Sequence, residues 1–163
     1  MLVDFNTLPD TARIWIYQAS RSFTPEELAA INTELSDFLV HWTAHGNDLK
    51  AGFEIRYKRF LVIALDQSAQ SATGCSIDAS VHFIQQLEKT YKVDLLDKMN
   101  VSYKQGEFVA YKTLLEFKAM AKQKAISKNT IVFNNLVATK AEYKEHWEVP
   151  ASDSWHARFV QVK

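Results

Sequence analysis

Arg13-Ile14-Trp15-Ile16-Tyr17-Gln18 and, a few residues on, Thr24-Pro25-Glu26-Glu27 decide how this chain folds. The first string is rich in β-branched and aromatic residues and lies between Pro9 and the Ser20-Arg21-Ser22 cluster, which predicts a strand. The second predicts the start of a helix. Thr24 suits the N-cap, Pro25 the first helical position, and Glu27 the returning carboxylate of a capping box. Leu28, Ile31, Leu35, Phe38, Leu39 and Trp42 then recur at three- and four-residue steps, an apolar stripe for one long helix that His45-Gly46 should stop.

Outward from that pair the pattern continues. Phe53, Ile55 and Tyr57 alternate with polar neighbours, and the apolar run Phe60 to Leu65 follows a tight turn at Lys58, so the two form a hairpin. Ile77, Val81, Ile84, Leu87 and Tyr91 mark a second helix, capped by Thr73 or Ser76. Residues 100–104 and 107–112 read as another hairpin about Gln105-Gly106, residues 114–124 as a third helix, and Ile131-Val132-Phe133 as a short strand. Thr139-Lys140-Ala141-Glu142 opens a last short helix that must end before Pro150. The order strand, helix, strand, strand, helix, strand predicts an α+β fold with a ferredoxin-like βαββαβ core, an antiparallel sheet with helices on one face, over about residues 11–112. Residues 113–163 would be a C-terminal α/β extension within one domain spanning residues 1–163.

Composition supports a folded chain: 47% of the 163 residues are hydrophobic against 23% charged, enough apolar surface to offset the entropy lost on folding. The longest apolar run is far short of the roughly 20 residues that span a bilayer, and the N-terminal residues lack a signal-peptide layout. The single cysteine excludes an internal disulfide and fits a reducing compartment, so a cytoplasmic address is expected, with no membrane partner. Formal charge is zero but uneven. Residues 1–82 hold six Lys/Arg against ten Asp/Glu, and residues 83–163 hold thirteen against nine. Lys118, Lys122, Lys124, Lys128 and Lys140 fall in a stretch without acids, but lysines on a solvated helix face are ordinary, and a nucleic-acid partner is disfavoured.

Two constellations carry candidate chemistry. The βαββαβ order brings Thr43-Ala44-His45-Gly46 to Gly74-Cys75-Ser76, so Cys75 stands at a helix N-terminus with His45 nearby as a base. Asp78 in the first turn opposes a thiolate there, and a lone cysteine is more often a small buried hydrophobe. His41 and His45 have the spacing of a zinc pair, but no third ligand stands out among His82, Cys75 and Asp78, so no metal and no cofactor are expected. The second constellation is aromatic and basic. Alternation along the first strand places Arg13, Trp15 and Tyr17 on one face, with Arg21 beyond it, and the C-terminal residues add His146, Trp147, Trp155, His156 and Arg158. An open face of this kind stacks rings or grips an anion. Asn134-Asn135 reads as a turn or as a pair of amides facing a ligand.

The strings Arg13 to Ala19, Thr43-Ala44-His45-Gly46, Thr73 to Val81, Val132 to Val137, and Ser154-Trp155-His156 with Arg158-Phe159 resemble a family of short bacterial proteins commonly labelled "ABC transporter ATPase". The resemblance covers nearly the whole chain and implies no catalytic residue. The label implies cassette ATPase chemistry, which needs a glycine-rich loop G-x-x-x-x-G-K followed by Ser or Thr. Of the four glycines here none precedes a lysine, so no Walker A loop exists. The sequence therefore points to a small non-enzymatic binding or regulatory protein whose surface for a small ligand or protein partner includes Trp15, Tyr17, Arg21, Trp155 and Arg158. The alternative is a cysteine-dependent enzyme using Cys75 and His45.

Overall fold

The computed structural model describes residues 1–160 and is an α+β protein with antiparallel sheets. No helix among the described residues is long and apolar enough to cross a membrane. Two compact units divide the chain: residues 1–96 with Ala138–Ala141, and Asp97–Val137 with the residues from Glu142 onward.

In the first unit, β1 (Arg13–Gln18) is followed by α1 (Pro25–His41), the two-residue strands β2 (Thr43–Ala44) and β3 (Asn47–Asp48), β4 (Lys50–Arg56), β5 (Phe60–Asp66) and α2 (Gly74–Tyr91). The sheet order is β1-β5-β4, with Trp15 opposite Ile63 and Phe53 opposite the same residue on the other side. Central β5 is buried from Phe60 to Leu65, which explains its unbroken apolar run. Trp15, Tyr17, Leu61, Ile63 and Leu65 share a core with Ile31, Leu35 and Leu39 of α1 and Ile84 and Leu87 of α2, each buried leucine or isoleucine contributing roughly 1.5–3 kcal/mol. The opposite face of β4 approaches the N-terminal residues so closely that a Cβ on Gly52 would lie 2.6 Å from the Val3 carbonyl oxygen. Only a glycine fits there.

Local signals in the sequence act as expected at the helix starts. Thr24 accepts from the Glu27 N–H while the Glu27 carboxylate accepts from the Thr24 N–H, and Thr73 with Ser76 does the same for α2. Each cap stabilises by about 1 kcal/mol. The stop of α1 differs from expectation: the helix ends at His41, and His45 and Gly46, with φ of 52° and 76°, form the turn between β2 and β3. Two successive positive φ angles suit a tight hairpin turn whose twist matches its strands, so the pair serves a turn rather than a helix end. Trp42 terminates the helix instead, turning inward to donate its indole N–H to the Ser76 carbonyl at 2.8 Å.

The ferredoxin-like order is not confirmed. Its fourth strand should pair with the outer edge of β1, but there the Ile14 N–H donates to the Ala138 carbonyl at 2.9 Å and Arg13 bridges Thr139. That edge is closed by a segment from far along the chain. Next to it Lys140 is buried, and its ammonium donates to the carbonyls of Phe5 at 3.0 Å and Leu8 at 2.7 Å while lying 5.2 Å from the Phe5 ring centroid.

In the second unit, β6 (Val101–Gln105) and β7 (Phe108–Lys112) form the hairpin expected about Gly106, whose φ is 63°. They join α3 (Leu114–Lys122), β8 (Ile131–Phe133), α4 (Lys140–His146, which begins at the excursion into the first unit), β9 (Glu148–Pro150) and α5 (Ala157–Val160). The sheet order is β7-β6-β8-β9. Phe117 of α3 is wholly buried against Val101, Tyr103, Val132 and Val160. Asn134 and Asn135 make a turn: the Asn134 side chain accepts from the Leu136 N–H, and Asn135 accepts from the Trp147 indole at 2.9 Å.

Candidate functional site

The first unit has a cleft of about 460 Å³ where α1 ends and α2 begins, lined by Phe38, His41, Trp42, His45 and Cys75 among others. The sequence anticipated this meeting of residues 43–46 with 74–76. Phe38 stacks on Phe83 at 4.6 Å and tilts against Trp42 at 5.7 Å, which fixes the wall. Cys75, the second residue of α2, and His45, on the hairpin turn, are both exposed, and no hydrogen bond joins thiol and imidazole. The His41 Nδ1 lies 2.9 Å from the Asp37 carbonyl of its own helix, and among the described residues no group of three or more His, Cys, Asp or Glu is placed to hold a metal ion.

The aromatic and basic face expected around β1 is closed. Helices α1 and α2 take the side to which Trp15 and Tyr17 point, the side that also carries Leu61, Ile63 and Leu65 of β5. Tyr17 is 4% exposed, and burial raises its phenol pKa, partly offset by a hydrogen bond with Ser80. Trp15 is half-buried, meets the Trp42 ring edge-on at 5.8 Å and lies under the Arg13 guanidinium at 4.6 Å. Arg21 is engaged structurally. Its guanidinium grips the Glu27 carboxylate at 2.8 and 2.9 Å and donates to the Tyr91 carbonyl at 2.7 Å, closing the C-terminal end of α2 onto the start of α1. Arg21 foremost, and the Thr24 backbone N–H next, hold the Glu27 carboxyl down at about 2. Tyr17 and Trp15 therefore build the first unit's core, and Arg21, though partly exposed, is held in place at the α1 cap.

Trp155 and Arg158 have a different setting. They line a cleft of about 390 Å³ in the second unit, with Met99, Leu114, Leu136 and Phe159 as further apolar surface. Lys98 and Lys118 complete the rim. Met99 and Leu136 are 60% and 61% exposed, large apolar side chains on loops that present their surface to solvent. Among the described residues no carboxylate lines the cleft, and Lys98, Lys118 and Arg158 form no ion pair. The Lys118 ammonium and the Arg158 guanidinium lie 5.2 and 5.1 Å from the centroid of the same Phe159 ring.

No family model, curated protein or solved structure matches this chain.

The wall behind Trp155 is built of rings. His156 stacks on the indole with centroids 3.9 Å apart, Phe117 braces the imidazole at 5.7 Å, and Phe159 meets the indole at 86°. His156 is completely buried, its Nδ1 is hydrogen-bonded to the Ser154 hydroxyl, and its Nε2 has no hydrogen-bond partner among the described residues. Burial holds its pKa down to about 4, so the ring is neutral at physiological pH. Sequence reasoning had Trp155 and Arg158 but missed Lys98, Met99, Leu136 and Phe159. The available signal was Met99, beside Lys98, and Leu136, large apolar residues outside any periodic stripe. The lysine stretch does not act as one surface, since Lys118 lines the cleft while Lys140 is buried in the first unit.

Proposed function

We propose that the protein is a binding protein for a small amphipathic anion, held in the second unit's cleft at Trp155 and Arg158. The observation that carries this reading is the combination of three cations that have no ion-pair partner among the described residues and an apolar floor exposed to solvent. Like charges converging on one ring repel each other, and an anion between them relieves that repulsion. The same occupant covers the apolar side chains that otherwise face water. At about 390 Å³ the volume falls at the lower end of the range of small-molecule sites, roughly 300–1,000 Å³.

Titration calorimetry with decanoate and with decanol tests the reading. Decanoate should bind, decanol should bind at least about tenfold more weakly, and Arg158→Ala or Lys118→Ala should each weaken decanoate by about tenfold, the ~1.4 kcal/mol expected of a partly exposed charge contact. Equal affinity for acid and alcohol, or indifference to both substitutions, removes the basis for it. A cysteine-dependent enzyme at the first unit's cleft is the weaker reading, because Cys75 and His45 share that cleft without a hydrogen bond to each other.

A further inference from the structure

Resting on the anion-binding reading above, we propose that the occupant is a planar aromatic acid, its ring stacked on the Trp155 indole and its carboxylate between Lys118 and Arg158. The shape of the cleft carries the step from amphipathic to planar. Trp155 lines the cleft, and His156, stacked on the indole at 3.9 Å, takes one of its faces. His156 in turn is fully buried, braced by Phe117 and tied to Ser154, so the indole rests on a backing that resists tilting. Phe159 stands at 86° to the indole, with centroids 6.3 Å apart. Two rings at right angles form a corner in which a third flat ring stacks on one and meets the other edge to face, both of them favoured arrangements of aromatic quadrupoles.

The charges sit at that same corner. Lys118 and Arg158 both lie at the Phe159 ring, so an anionic group attached directly to a ring in the corner is placed between them, whereas one on a long flexible chain has no such fixed position. Among the described residues, the polar side chains of the lining are donors: two ammonium groups, one guanidinium and an indole N–H, with no carboxylate, amide or hydroxyl. An aromatic acid needs donors only. A nucleotide, which also combines a flat ring with an anion, brings a base whose exocyclic amino groups require acceptors, and the described lining side chains offer none stronger than the Met99 thioether.

The experiment titrates the full chain with 2-naphthoate, with decahydro-2-naphthoate, which has the same carbon skeleton and charge but no aromatic ring, and with adenosine monophosphate. Calorimetry gives the affinities, and Trp155→Leu and Arg158→Ala are run alongside. We expect 2-naphthoate to bind about tenfold more tightly than its saturated analogue, the upper part of what ring–ring geometry adds beyond area burial. Trp155→Leu should abolish that preference while leaving the saturated acid bound, and Arg158→Ala should weaken both acids equally. Should Trp155→Leu fail to fold, the ratio of the two acids in the parent protein decides the matter. Equal binding of the two acids, both weakened by Arg158→Ala, overturns the aromatic assignment and leaves the anion-binding reading standing. Absence of binding by either acid overturns both, and tighter binding of the nucleotide than of 2-naphthoate overturns the assignment to an aromatic acid.

Discussion

Acidification should weaken the second unit through one side chain, His156. The folded protein holds this imidazole at about 4, against an ordinary 6.5, because it is buried. Protonation would also leave an Nε2–H donor with no acceptor among the described residues. With the folded value below the unfolded one, the unfolded chain binds more protons between the two, so stability is present above pH 6.5 and is lost as pH falls through that window. The full gap corresponds to about 3 kcal/mol, of which about 2 kcal/mol is lost by pH 5. Urea-dependent amide hydrogen exchange, read on peptides of β6 and α3, reports this unit separately. His156→Phe keeps a ring between Phe117 and Trp155 and removes the titration, so contributions of other groups cancel between variant and parent. Between about pH 7.5 and about pH 5 the parent should lose about 2 kcal/mol more than the variant. An equal loss in both would refute the argument and mean that the imidazole is not desolvated as described.

The remaining predictions concern the first unit. Lys140→Met removes the ammonium from the Phe5 and Leu8 carbonyls and should cost about 3 kcal/mol, lowering Tm by roughly 6–12 °C in a scanning calorimeter, whereas a shift under about 2 °C would show the bonds to be dispensable. Gly52→Ala forces a Cβ against the Val3 carbonyl and should destabilise by about 1–3 kcal/mol in urea, while Gly74→Ala, where an added Cβ meets nothing, stays within about 0.5 kcal/mol of the parent. Cys75 is exposed and should alkylate readily, and His45→Ala should leave the rate unchanged at every pH, since no hydrogen bond links the two. A rate that falls in the variant would restore the cysteine-dependent alternative.

The local half of the fold was legible in the residues. Thr24-Pro25-Glu26-Glu27 places a helix start to the residue, and the hairpin about Gln105-Gly106 follows from turn chemistry, because both signals act over three or four neighbours. Pairing between distant strands was not legible. Nothing in Val101 to Gln105 says whether its edge meets β1 or β8, since apolar alternation suits either partner, and nothing marks Ala138-Thr139 as the segment that closes β1. The candidate site divides in the same way. Trp155 and Arg158 stood out by type, but Tyr17 and Arg21, equal candidates by type, are taken up by a core and a helix cap, because residue type does not say which sheet face the helices cover.

The return of residues 138–141 to the first unit has a consequence for synthesis on the ribosome. A nascent chain that has released residues 1–96 still lacks the carbonyl that the Ile14 amide requires and the ammonium that gathers the carbonyls of Phe5 and Leu8. Both arrive with residues 138–140, after the hairpin at Gly106 and the helix at Leu114 have emerged. A chain released only to residue 96 therefore has a sheet with an open strand edge, the template on which chains aggregate, and that edge is sealed only once residues 138–140 have left the exit tunnel.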